Sequence, residues 1–197
     1  MRHSRRHEAE APATAETSLR GEVLSWLVTV GGTVLVMWLL FTFVLGVFYV
    51  PSGSMLDTIH LGDRVVGERV SYRLGTPRQG DVVTFLDPAG SGETLIKRVI
   101  ATPGQTVDFR GGTVYVDGQE LDEGYTEGRA SLPLDEHAAN LSAPLSYPYV
   151  VPEGCIWVMG DNRTNSLDSR YFGAIPISSV TSHAVLIYWP FDDVRTL

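Results

Sequence analysis

The chain has 197 residues, with 15 Lys and Arg against 23 Asp and Glu, 44% hydrophobic residues and one cysteine. That apolar fraction excludes a wholly disordered chain, and a net charge of −8 argues against a nucleic-acid binder, which needs a basic surface to neutralise phosphates. The single cysteine, Cys155, excludes an intramolecular disulfide and a cysteine-based zinc site, and beside Ile156 and Trp157 it reads as a small core residue.

Residues 1–22 are polar, rich in Ala, Glu and Arg, and aperiodic, which predicts a short disordered tail. From residue 23 to 50 there is no charge. At about 1.5 Å per residue this run exceeds the ~30 Å hydrocarbon core of a bilayer and predicts a transmembrane helix. A cleaved signal peptide would carry a shorter apolar core, and a soluble helix would show a polar face. Arg2, Arg5, Arg6 and Arg20 precede the span, and the first cation after it is Arg64. This bias predicts a cytoplasmic N-terminus, with residues 51–197 outside the membrane.

Beyond the span the texture changes to short Val-, Ile- and aromatic-rich runs broken by Gly, Pro and Asp. Strands are predicted at 64–70, 81–86, 95–101, 113–116, 156–159 and 184–189. Asp117-Gly118 predicts a tight hairpin returning through 119–121. Residues 122–152, rich in Pro, Gly, Ser and acids, read as a long excursion from the β body. The expectation is one mainly-β domain, residues 51–197, on a single membrane anchor.

Three motifs carry chemistry. Pro51-Ser-Gly-Ser-Met55 begins where the apolar span ends. Lys97 is the only lysine among fifteen cationic Lys and Arg residues, and it sits in the strand-like run TLIKRVIA beside Arg98. Both faces of that strand are largely apolar, so one of the two cations enters a desolvated site. A buried amine loses its proton readily, whereas a guanidinium does not. Residues 160–173, GDNRTNSLDSRYFG, pack acids, amides, hydroxyls and two arginines into one loop. Each motif alone also fits a turn, an exposed cation or a hydrogen-bonded loop.

Together and in this order, PSGSM, GDVVTF, IKR followed by PG, and GDNRTNSLDSRYFG resemble the bacterial form of the type I signal peptidase family. The resemblance runs from the anchor to the final strand. It implies an antiparallel, barrel-like β catalytic domain and a membrane-bound serine endopeptidase. The substrates would be secretory preproteins, cut after small residues of the Ala-X-Ala type, with no metal or cofactor. Residue by residue, it implies Ser54 as nucleophile and Lys97 as general base. Ser52 and the Ser54 amide would form the oxyanion hole, and Ser166 would orient the lysine. Arg98, Asp161, Asp168 and Arg170 would brace the site, while Val50, Met55, Ile59, Leu95 and Ile96 would line the substrate pockets. Asp57 departs from the proline that many members carry, and the excursion is short beside the insert of some members.

The implied chemistry has a physical logic. A serine hydroxyl hands its proton to a neutral base as it attacks, and lysine at its reference pKa of about 10.4 is only about one part in a thousand neutral near pH 7.5. Burial next to apolar neighbours removes most of that cost. His60, His137 and His183 are rival bases, although the eukaryotic form of the family carries histidine where this chain has Lys97. Two other functions compete: a Ser/Lys self-cleaving regulator, which would carry a DNA-binding module, and an inactive anchored binding module, which would lack Ser54 or Lys97. Asn140-Leu-Ser and Asn162-Arg-Thr match the glycosylation pattern, which is frequent by chance.

Overall fold

The computed structural model describes residues 15–197, so Arg2, Arg5, Arg6 and most of the predicted tail lie outside the described residues. The chain divides into two compact units after Phe41. The first contains helix α1 (Ala15–Leu39), which continues as a π-helical stretch at Leu40–Val44. Residues 21–44 are long and apolar enough to cross a membrane, and none of that window is buried. The hydroxyls of Thr29 and Thr33 donate to the carbonyls of Ser25 and Thr29, both at 2.8 Å, so these polar groups are satisfied inside the helix.

Two boundaries differ from the sequence expectation. Residues 15–22 are helical rather than part of the tail, in keeping with the helix propensity of Ala, Glu, Leu and Arg. The helix also stops before residue 50, because Leu45–Tyr49 form strand β1, which pairs antiparallel with β2 (Arg64–Glu68) from Leu45↔Glu68 to Tyr49↔Arg64. Hydropathy is uniform across this junction. The pairing partner, fifteen or more residues later in the chain, turns the last part of the apolar run into a strand.

The second unit continues with helix α2 (Ser71–Leu74), β3 (Val82–Leu86), β4 (Thr94–Ala101), β5 (Thr106–Arg110), β6 (Thr113–Val116), β7 (Gln119–Glu120), β8 (Tyr149–Val150), β9 (Cys155–Met159), helix α3 (Ser169–Phe172), β10 (Ile175–Pro176), β11 (Val180–Trp189) and β12 (Arg195–Thr196). Among the described residues these strands form an eight-stranded sheet, β1-β2-β11-β3-β4-β9-β10 with β12 on β11, and a four-stranded sheet, β7-β6-β5-β8. Every pairing described is antiparallel. The larger sheet is a curled half-barrel, as the mainly-β expectation required.

Strand β5 has no counterpart among the predicted strands: Val107 and Phe109 alternate with Thr106, Asp108 and Arg110, and two apolar residues make a weak signal. Asp108 and Arg110 pair with each other at 2.8 Å on the exposed face, while Val107 is buried. The Asp117-Gly118 hairpin forms as expected, with both residues at positive φ. The excursion contains a short 3₁₀ turn at Gly124–Thr126 and ends in β8, which pairs with β5.

Three apolar clusters hold the unit together. One is built around Val83, Phe85, Val99 and Val158, another around Ile100, Val107, Val114 and Trp157, and Cys155 packs half-buried against the second. The third, around Val50, Met55, Ile59, Val65 and Ile187, lies under the PSGSM turn and fixes that turn to the sheet.

Candidate active site

The turn that bears Ser54 is clamped at both ends. The Val50 amide donates to the Asp63 carbonyl at 3.0 Å, and the Gly62 amide donates to the Val50 carbonyl at 2.9 Å. Within the turn the Ile59 amide donates to the Met55 carbonyl, while Met55 and Ile59 are fully buried below. Burial of these two apolar residues presents Ser54 toward β4.

Strand β4 supplies the amine. It lies between β3 and β9, with Lys97 opposite Val83 and Arg98 opposite Met159. Alternation sends Lys97 and Arg98 to opposite faces. Lys97, only 4% exposed, donates from Nζ to Ser54 Oγ at 2.7 Å and to the Ile96 carbonyl at 3.0 Å. Burial lowers the Lys97 pKa from 10.5 to about 8, and the Asp168 and Asp161 carboxylates oppose that fall.

Arg98 goes to the other face and grips Asp161 with two bonds, Nε to Oδ1 at 2.9 Å and Nη2 to Oδ2 at 2.7 Å. The bidentate geometry needs a guanidinium, which explains arginine beside the lone lysine. Thr58 donates its hydroxyl to the same carboxylate, so Asp161 ties β4 to the Ser54 turn. A second buried pair, Arg170 and Asp168, is also bidentate, at 2.9 Å for both bonds. Burial works against the Asp168 charge, but the Arg170 guanidinium and the Gly160 and Arg170 amides hold its pKa below the usual carboxylate value.

Residues missed by the sequence reading complete the frame. Asn162 donates from Nδ2 to the Gly53 carbonyl at 2.9 Å and from its amide to the Ser54 carbonyl at 3.1 Å, gripping the candidate nucleophile's own peptide. Its burial also leaves no room for a glycan there. Gly160 lies so close that a Cβ would stand 2.4 Å from the Ser54 carbonyl oxygen and 2.3 Å from Ser166 Oγ. Arg163 is buried and donates to the Gly160 carbonyl, to Ser131 Oγ and to Glu123. Tyr125 lies between two guanidinium groups, 4.2 Å from that of Arg98 and 5.7 Å from that of Arg163. Asp57 accepts a bond from Arg129 at 2.5 Å. The first part of the excursion is thus fastened to the site by Glu123, Tyr125, Arg129 and Ser131. The density of Asn, Asp and Arg in GDNRTNSLDSR was the available signal, but the partners on the excursion are visible only in three dimensions.

The other expected residues are distributed as follows. Ser52 is exposed, with Oγ 3.5 Å from Ser54 Oγ. Ser166 Oγ is buried beside Gly160 and has no hydrogen-bond partner among the described residues. A cleft of ≈ 380 Å³ is lined by Val50, Leu95 and Ile96 together with Ser52, Ser54 and Lys97. Met55 and Ile59 lie in the core below it. The rival histidines face other groups: His60 faces Asp63 and Asp193, His137 the Ala138 carbonyl, and His183 Glu68 and Asp81.

The sequence profile of the family described as signal peptidase, peptidase S26, matches residues 23–189. A signal peptidase I from Leptolyngbya laminosa is 33% identical over 94% of this chain and 89% of its own length. A probable signal peptidase I-1 from Synechocystis is 42% identical over 72% of this chain and 70% of its own. A crystal structure of a signal peptidase I from Enterococcus faecalis V583 is 33% identical, with 54% of this chain and 95% of that chain covered and a TM-score of 0.43. The chain belongs to the signal peptidase family, peptidase S26. It is a peptidase, and hence a hydrolase. The matched region begins inside the apolar helix and ends at Trp189, so it contains both the Ser54 turn and the Lys97 strand.

Proposed function

We propose that this signal peptidase is a single-pass membrane enzyme that cleaves signal peptides from exported preproteins through a Ser54/Lys97 dyad. The observation that carries this reading is the 2.7 Å contact between Lys97 Nζ and Ser54 Oγ at a buried amine whose pKa has fallen to about 8. A neutral lysine takes the Ser54 proton as Oγ attacks the scissile carbonyl. The oxyanion is received by the Ser54 amide and the Ser52 hydroxyl, which rotates toward it. Lys97 returns the proton to the departing amine, leaving an ester on Ser54. Water then resolves the ester, with Lys97 again accepting the proton. Family resemblance assigns Ser166 to orient the lysine amine, but its Oγ makes no hydrogen bond among the described residues, and Ser54 and the Ile96 carbonyl hold Lys97 Nζ instead. Arg98–Asp161 and Arg170–Asp168 hold the strand and loop in register.

The cleft beside Ser54 has apolar walls at Val50, Leu95 and Ile96, which supports an apolar side chain before the cut, and the family resemblance supports small ones of the Ala-X-Ala type. The apolar helix supports residence in the bilayer, and the arginines before it support a cytoplasmic N-terminus with the catalytic unit outside. The test is incubation of the full chain in detergent micelles with a secretory preprotein, locating the cut by mass spectrometry. Cleavage after a small residue at the signal-peptide junction, lost in Ser54→Ala and Lys97→Ala, is expected. Cleavage that survives in either variant refutes the dyad.

A further inference from the structure

Away from the dyad, the far end of the Ser54 turn meets the C-terminal segment at a group of donors that the peptidase chemistry does not use. His60, Asp63 and Asp193 each offer one ligand atom, and all three atoms lie within 4.8 Å of one another. His60 Nδ1 stands 4.0 Å from Asp63 Oδ2 and 3.8 Å from Asp193 Oδ2. Both distances exceed a hydrogen bond, so the imidazole lies between two carboxylates without being bonded to either.

A second, independent feature is the state of Asp63. Its side chain is 4% exposed, yet among the described residues it accepts one hydrogen bond, from the His60 amide at 2.8 Å, and has no arginine or lysine partner. A carboxylate so placed gains from a cation beside it. The nearby cations leave Asp63 unpaired: Arg195 binds the outer Asp193 oxygen, Oδ1, and the Thr58 carbonyl, and Arg64 lies over the Trp189 ring at 5.9 Å. Beside these groups is an open cavity of ≈ 370 Å³, lined by His60, Asp63, Trp189, Asp192 and Asp193, with room for the waters that would complete a coordination shell.

We propose that His60, Asp63 and Asp193 form a non-catalytic site for a divalent transition metal ion, zinc by its donor set. One imidazole and two carboxylates suit zinc, whereas an all-oxygen shell would favour calcium or magnesium. Bonds of about 2.0–2.2 Å in tetrahedral geometry place ligand atoms about 3.3–3.5 Å apart, so the pairs closest to His60 close by about half an ångström. The ion joins the Ser54 turn to the C-terminal segment. Asp63 already holds Val50 through its carbonyl, so the metal braces the turn's downstream end without entering the reaction. This inference stands independently of the Ser54/Lys97 reading.

The test uses the full chain in micelles, stripped with a chelator and titrated with zinc chloride by calorimetry. One saturable site per chain is expected, with micromolar affinity. At a hundredfold excess over Kd it should raise Tm by about 5–10 °C. His60→Ala and Asp193→Asn, both at accessible positions, should each weaken binding at least tenfold and remove the Tm rise. Their metal-free peptide cleavage and metal-free Tm should stay close to those of the parent chain. Cobalt should quench Trp189 fluorescence in the parent chain and not in His60→Ala. Absence of saturable zinc binding overturns the proposal. So does zinc affinity that neither variant changes.

Discussion

Lysine 97 is the most sensitive point at which to test the chemistry, because its pKa converts directly into a rate. With a pKa of about 8, about 1% of the enzyme carries a neutral Lys97 at pH 6 and about 90% at pH 9, so kcat/KM should rise about 90-fold across that range. A lysine at 10.5 would still be rising tenfold per pH unit at pH 9. Asp161 and Asp168 both hold the proton on Lys97, so Asp161→Asn should move the acid limb to lower pH. Lys97→Arg should be as inactive as Lys97→Ala, since arginine keeps the charge but gives up no proton. Stability carries the same signature. The unfolded chain binds the lysine proton at 10.5 and the folded chain at about 8, so the folded state gains on the unfolded as pH rises from 8 to 10.5. The full gain is about 3 kcal/mol, and Lys97→Met should lack it. The assays are kcat/KM for a signal-peptide substrate against pH, and urea unfolding of both proteins at pH 7 and pH 10. An acid limb unmoved by Asp161→Asn, or activity in Lys97→Arg, refutes the assignment of the base.

Two further substitutions test the frame around the dyad. Gly160→Ala places a methyl group 2.4 Å from the Ser54 carbonyl oxygen, and both groups sit on constrained backbone. kcat should fall on the order of 10²-fold, because an ångström of displacement at the nucleophile costs that much, while Tm falls modestly. Near-parental kcat would show that the loop yields without moving Ser54. Arg163→Ala removes donors to the Gly160 carbonyl, Ser131 and Glu123 and leaves the Glu123 carboxylate half-compensated. Urea unfolding should report a loss of about 3–5 kcal/mol, partly recovered by the second change Glu123→Gln; a loss below 1 kcal/mol would show the excursion is not fastened there.

The Ser54 and Lys97 motifs and most strands stood out in the sequence because their signals are local. An uncharged run longer than a bilayer core, β-branched runs bounded by Gly and Pro, and Asp117-Gly118 at a hairpin each depend on neighbours a few residues away. The lone Lys97 stood out for the same reason: among fourteen arginines, a retained lysine points to proton transfer. What the sequence left open are pairings between distant segments. Leu45–Tyr49 read as the end of a helix because their hydropathy matches the span, and only registry with Arg64–Glu68 makes them a strand. Met55 and Ile59 are expected in the substrate pockets from the family resemblance, and the turn's geometry buries both in the core. Asn162 and Arg163 read as part of a polar loop, and only the fold shows one gripping the Ser54 peptide and the other reaching the excursion. Local residue chemistry determined which groups are available for catalysis; the antiparallel sheet, by bringing a strand forty-three positions away against the turn and excluding water from it, decided that the amine sits 2.7 Å from the hydroxyl and gives up its proton near pH 8.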